Sequence, residues 1–159
     1  MTVTLRRAVD GADELLFAAD IHLHAFRLAA SGTDGGHDTF QHFLEFLKEP
    51  ELPAPVLSPR RFSQALHIDL QTLAEQAHVH RNTIARAPAS RGVQDYLRES
   101  LRVIKAATDV SGDVNKALFW YRNEPLSAFG FKTAETLVSA GRTEAVLKYV
   151  MSIEAGASG

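Results

Sequence analysis

The 159-residue chain has no cysteine, one tryptophan and two methionines. Without thiols it has no disulfide framework, no thiolate nucleophile and no cysteine-ligated metal. No apolar run approaches the roughly twenty residues that a membrane-spanning helix needs. The first residues also lack the basic-then-apolar order of an export signal, so the expected location is cytoplasmic. No G-x-x-x-x-G-K-[ST] phosphate loop occurs, nor a G-x-G-x-x-G fingerprint or a G-x-S-x-G elbow. Seven histidines are present, but His22/His24 and His78/His80 are spaced two apart. On a helix that spacing turns two rings about 200° from each other, so neither pair presents one ligand face. The expectation is no bound metal, no cofactor and no enzymatic activity.

What is present is a helical sequence. Hydrophobic residues make up 45% of the chain, enough for a packed core, and Ala, Leu, Glu and Arg dominate while strand signals are scarce. The expected class is all-α. One helix is predicted over about 12–29, then a Gly-rich break over 31–36, with Asp34–His37 read as loop. A second helix spans about 39–48, where Phe40, Phe43, Leu44 and Leu47 recur at i, i+3, i+4 and i+7 as one buried stripe. Pro50, Pro53, Pro55 and Pro59 then exclude helix interior and indicate an extended linker. Short helices follow at about 59–67, 70–77 and 81–87. A longer one from about 93 to 108 has its stripe at Val93, Tyr96, Leu97, Ile104 and Ala107, and Ser111-Gly112 ends it. Helices at about 113–122, 133–140 and 143–154 close the chain. Thr133 and Thr143 are candidate N-caps, and Gly141 suits the left-handed position after a helix. Three segments result: 1–57, 58–109 and 110–159.

Charge is uneven along these segments although the net charge is only −2. Residues 1–57 hold four cationic side chains against nine carboxylates, whereas 58–91 hold five arginines against Asp69 and Glu75. Within that basic stretch, Leu73, Ala74, Ala77, Val79 and Ile84 have the spacing of a helix-turn-helix. His78 falls at the turn position that glycine usually holds, where a left-handed backbone is costly for a side chain. The outward positions are His80, Arg81, Asn82, Thr83 and Arg86. Arginine suits guanine edges or phosphates, asparagine suits adenine and threonine a phosphate oxygen, so these are the candidate DNA contacts. The plain alternative is a helical hairpin with no nucleic-acid role.

In helix 113–122, Val114, Ala117, Leu118 and Tyr121 share one stripe, Trp120 flanks it, and Phe119 points to the opposite side. In the last helix Val146, Tyr149, Val150 and Ile153 face inward, and Leu147 and Met151 form a second apolar stripe. Surplus apolar positions on small helices point to a partner surface, with completion of the core as the rival reading. Trp120 belongs more naturally to the core. Pro125, Leu126, Phe129 and Phe131 lie in a connection, where aromatics serve as interface anchors or as buried pins.

The runs Asn115–Tyr121, Asn123–Leu126, Phe129–Leu137 and Ala140–Leu147 resemble the toxin-binding domain of Xre/MbcA/ParS-type antitoxins, the partners of RES-domain toxins. The family pattern N-P-x-L-G-G-x-T-P stands here as N-E-P-L-S-A-F-G-F-K-T-A, a variant turn. The resemblance extends with lower specificity upstream to about residue 58 and does not reach the first 57 residues. It implies an antitoxin that binds a RES-domain toxin, a NAD-consuming protein similar to ADP-ribosyltransferases, and covers its active site. It also implies an operator-binding region that represses the antitoxin's own operon, and a homodimer within a larger toxin–antitoxin complex. The toxin contacts then expected are Phe119, Trp120, Pro125, Phe129, Phe131, Leu147, Met151 and Ile153. Glu154 and Gly159 join them in a small-residue tail that enters the nucleotide cleft, with a frayed terminus as the rival reading. A dimeric helix-turn-helix repressor without a toxin, and a pure interaction module, are the alternatives.

Overall fold

The structure, a computed structural model, describes residues 35–156. The helix expected over 12–29 and the tail residue Gly159 lie outside the described residues. The chain is all-α. Eight helices are described: α1 (Gly35–Phe46), α2 (Pro59–Leu66), α3 (Leu70–Gln76), α4 (Arg81–Arg86), α5 (Arg91–Ser111), α6 (Val114–Asn123), α7 (Ala134–Ser139) and α8 (Thr143–Gly156). A 3-10 turn occupies Ser127–Phe129, and an isolated bridge joins Leu126 to Lys132.

The organising element is α5, about 30 Å long at 1.5 Å per residue. α1, α6, α7 and α8 all pack against it. All five residues of its predicted stripe are buried. Phe40 and Phe43 of α1, Leu47 just after it, Phe62 of α2, Leu73 of α3, Tyr121 of α6 and Val146 of α8 join them in one contiguous core. Residues on both sides of the proline cluster therefore share a single interior.

Local chemistry sets the helix boundaries. Ser58, Asp69, Asp113 and Thr133 cap α2, α3, α6 and α7, each side chain accepting from the amide three residues on. That bond satisfies a donor the first helical turn leaves unpaired. Gly112 ends α5 at φ 77, the left-handed geometry glycine adopts cheaply. Thr143 does not act as a cap: it is the first residue of α8 and is buried.

Two further expectations change. Gly35, Gly36 and His37 belong to α1 rather than to a loop. A Cβ on Gly36 would come within 3.0 Å of the Thr108 carbonyl oxygen and 3.2 Å of Gly112 Cα, so glycine here permits close approach to the end of α5. The proline-rich stretch is irregular but pinned. Buried Gln94 accepts from the Leu57 amide at 2.9 Å and donates to the Leu57 and Pro88 carbonyls, both at 2.8 Å. Glu49 accepts from the Ser58 hydroxyl at 2.6 Å and from Arg60 at 3.0 Å. The Ser58 bond, helped by Arg60 and Arg61 and opposed by desolvation, holds the Glu49 carboxyl below its ordinary range.

Candidate functional site

The segment read from the sequence as a helix-turn-helix consists of α3 and α4 joined by the turn at 77–80. Leu73, Ala74 and Ile84 are buried between the helices, with Ala77 and Val79 partly buried beside them. His78 takes the left-handed conformation at φ 54. Its Nε2 donates to the Ser139 carbonyl at 2.7 Å, and the Ser139 hydroxyl donates to the Gln76 carbonyl at 2.8 Å. These two bonds fasten the turn to the end of α7. On the other side, a Cβ on Gly92 would meet Val79 Cγ1 at 3.2 Å, so the start of α5 also lies close against the turn.

Of the predicted DNA contacts, Arg81, Asn82 and Arg86 are exposed on α4, and Thr83 is half-buried. His80 is the N-cap of α4, its Nδ1 accepting from the Asn82 amide at 3.2 Å. The basic stretch is partly neutralised within the fold: Arg60 and Arg61 share Glu49, and Arg91 lies 3.5 Å from Asp95. Among the described residues, Arg81 and Arg86 make no ion pair within 4 Å.

The second region is the connection between α6 and α7 with the outer face of α8. Leu126 is the buried pin of the connection. Its amide donates to the Lys132 carbonyl and its own carbonyl accepts from the Phe131 amide, both at 2.9 Å, which closes the loop. Gly130 and Phe131 sit consecutively at φ 65 and φ 62. Phe131 remains 40% exposed, although a bulky side chain pays for that conformation. Phe129 is half-buried, edge-on to Tyr149 of α8 at 5.7 Å and beneath the Arg142 guanidinium at 5.1 Å. Met151 is 63% exposed, and Leu147 and Ile153 are half-buried against the core. Pro125 is exposed.

Trp120 is only 4% exposed, so of its two candidate roles it takes the core one. Phe119 is 69% exposed but lines a groove with Ala65, Leu66 and His67 at the end of α2, whereas Phe129 faces α8. Helix α8 runs to Gly156, so Ile153 and Glu154 are helical rather than part of an extended tail. Sequence periodicity did not single out a buried polar cluster behind the loop. Tyr121 donates to Ser100 at 2.9 Å, Tyr96 donates to Gln76 at 3.0 Å, and Glu135 is buried nearby. Burial raises the Glu135 carboxyl above its ordinary value, with Gln76 and Arg122 opposing. Burial also pushes Tyr96 up to about 12 and Tyr121 well above 10. A glutamate in the first turn of a helix reads from sequence as a solvated dipole partner, so only the packing reveals its burial.

Comparison of the chain with protein-family models, with curated proteins and with solved structures gives no match. The functional reading therefore rests on the chain's own residues. No described helix is long and apolar enough to cross a membrane, and no group of three potential metal ligands occurs among the described residues.

Proposed function

We propose that this chain is an antitoxin that acts by docking a RES-domain, NAD-consuming toxin, using the α6–α7 loop and the outer face of α8. The observation that carries this reading is Phe131: a large apolar side chain held in a left-handed conformation and left exposed on a loop that Leu126 pins. Strain of this kind, of order 1–3 kcal/mol, persists where the surroundings enforce it, and it concentrates at ligand clamps and active sites. Met151, Leu147 and the braced Phe129 add apolar area on the same C-terminal part of the chain. The motif resemblance over residues 115–147 supplies the toxin class.

The test is co-expression of the full chain with a RES-domain toxin. Phe131→Ala combined with Met151→Glu should abolish co-purification and restore toxicity while the melting temperature stays within a few degrees of the parent. Retained co-purification would overturn the docking face. In the family reading the end of α8 and the residues after it cover the nucleotide cleft. Deleting residues 154–159 should then restore toxicity without preventing complex formation.

Operator binding through α3 and α4 is the second reading. Exposed Arg81, Asn82 and Arg86 beside the helix-turn-helix packing favour it. Arg81→Ala with Arg86→Ala should weaken binding to the chain's own promoter and flatten its salt dependence. Dimerisation belongs to this reading, because paired half-sites match a two-fold protein.

A further inference from the structure

The groove beside Phe119 is separate from the loop just described. One stretch of it, about 520 Å³, is lined by Thr39, His42 and Phe46 of α1 and by Asn115 and Leu118 of α6. A second stretch, about 220 Å³, shares Asn115 and Leu118 and continues to Phe119 and Arg122. Two of the four exposed large hydrophobic side chains among the described residues, Phe46 and Phe119, stand in its walls. None of the residues lining either stretch is a carboxylate; the ionisable ones are His42, His67 and Arg122. Asp38 stands outside the lining, 3.9 Å from His42. The groove on the other flank of α1, about 620 Å³, is lined by Glu45, Lys48 and Glu49, with Glu45 paired to Lys48 and Glu49 to Arg60 and Arg61.

Helix α1 starts at Gly35, one turn before Thr39, and both Thr39 and His42 line the groove. Residues 12–29 carry Leu16, Ala19, Leu23 and Phe26 at i, i+3, i+7 and i+10, one helical face. They carry Asp13, Glu14 and Asp20 against a single Arg27. Their acidic balance suits the flank of α1 whose lining holds Arg122 and no carboxylate. The five residues 30–34 have the length of an ordinary connection between antiparallel helices. As the helix the sequence predicts, these eighteen residues would span about 27 Å, against about 18 Å for α1, enough to pass α1 and reach α6.

We propose that residues 12–29 of this chain occupy the groove between α1, α2 and α6, covering Phe46 and Phe119. The occupant is a segment of the same chain, and Phe119 is then an internal contact rather than a toxin anchor. The inference is independent of the toxin reading, and so is its test. The chain has no cysteine, so one introduced cysteine carries one label. A nitroxide on Asn123→Cys in the full-length chain should broaden the amide signals of residues 12–29 severalfold. The same label on Ala89→Cys, before the opposite end of α5, should leave them sharp. Adding Phe119→Glu to the Asn123→Cys chain should restore them. In a mixture of spin-labelled unenriched chain with unlabelled nitrogen-15 chain, no broadening is expected. Broadening in the mixture would assign the groove to a second copy and overturn the proposal. So would sharp signals from the Asn123 label, or broadening that survives Phe119→Glu.

Discussion

Two single residues carry energy that the rest of the fold must offset. Phe131 sits at φ 62 with its ring partly in solvent, a conformation about 1–2 kcal/mol dearer for a side chain than for glycine. Phe131→Gly should therefore leave urea stability unchanged or raise it by up to about 1 kcal/mol, while toxin capture weakens by about 2 kcal/mol if the ring is an anchor. Equal losses in both measurements would make the ring a structural pin instead. Glu135 is the second residue. Its folded-state value lies above that of an unfolded glutamate near 4.5, so the folded chain holds the proton more tightly. The resulting stability is complete below 4.5 and is lost as pH rises through the raised value. Glu135→Gln cannot ionise, and should melt higher than the parent at neutral and alkaline pH. Its advantage should vanish below 4.5. Melting curves across that range check the sign.

At the scale of the element, the helices were largely legible because their punctuation is local. Asp69, Asp113 and Thr133 cap where their side chains can reach an unpaired amide, and Gly112 and Gly141 end helices at positive φ. Thr143 looked equivalent, yet a buried hydroxyl inside the first turn of α8 is not a cap. Gly35 and Gly36 read as a loop from composition alone. The helix forms there because α1 must press against Thr108 and Gly112, a long-range demand that local sequence does not display. The hairpin of α3 and α4 was visible in the spacing, but its attachment was not, since the His78–Ser139 bond joins residues 61 apart. That bond separates two effects at the turn. His78→Ala loses it and keeps the left-handed cost, so it should destabilise by about 1–2 kcal/mol. His78→Gly also loses the bond but removes the cost, and should lie within about 0.5 kcal/mol of the parent. Urea unfolding of the two variants measures the difference, and equal losses would mean that the conformation at 78 is unstrained.

For the molecule as a whole, the sequence divides into three segments by composition, yet the buried apolar residues among those described meet in one interior built around α5. Periodicity located that interior well: the stripes on α5 and α6 are buried, Phe40, Phe43 and Leu47 are buried with Leu44 half-buried beside them, and Phe119 and Met151 are left exposed as their phases required. It could not locate the candidate surfaces, because which exposed residues lie together depends on how helices distant in sequence are juxtaposed. Phe119 thus lies against the end of α2, and Phe129 against α8. Shared packing has a thermodynamic consequence. Leu97 is fully buried in the central helix, and Leu97→Ala should cost about 2–5 kcal/mol. That is a large share of the 5–15 kcal/mol available to a typical domain. If the interior is one cooperative unit, the loss should move the whole transition together. Far-UV circular dichroism, which averages over all helices, and the fluorescence of Trp120, which reports on α6 alone, should give the same shifted midpoint in urea. A Trp120 midpoint that stays at the parent value while the dichroism midpoint falls would mean that the carboxyl-terminal helices fold as an independent unit. In that case the compositional division near residue 110 would also be a physical one.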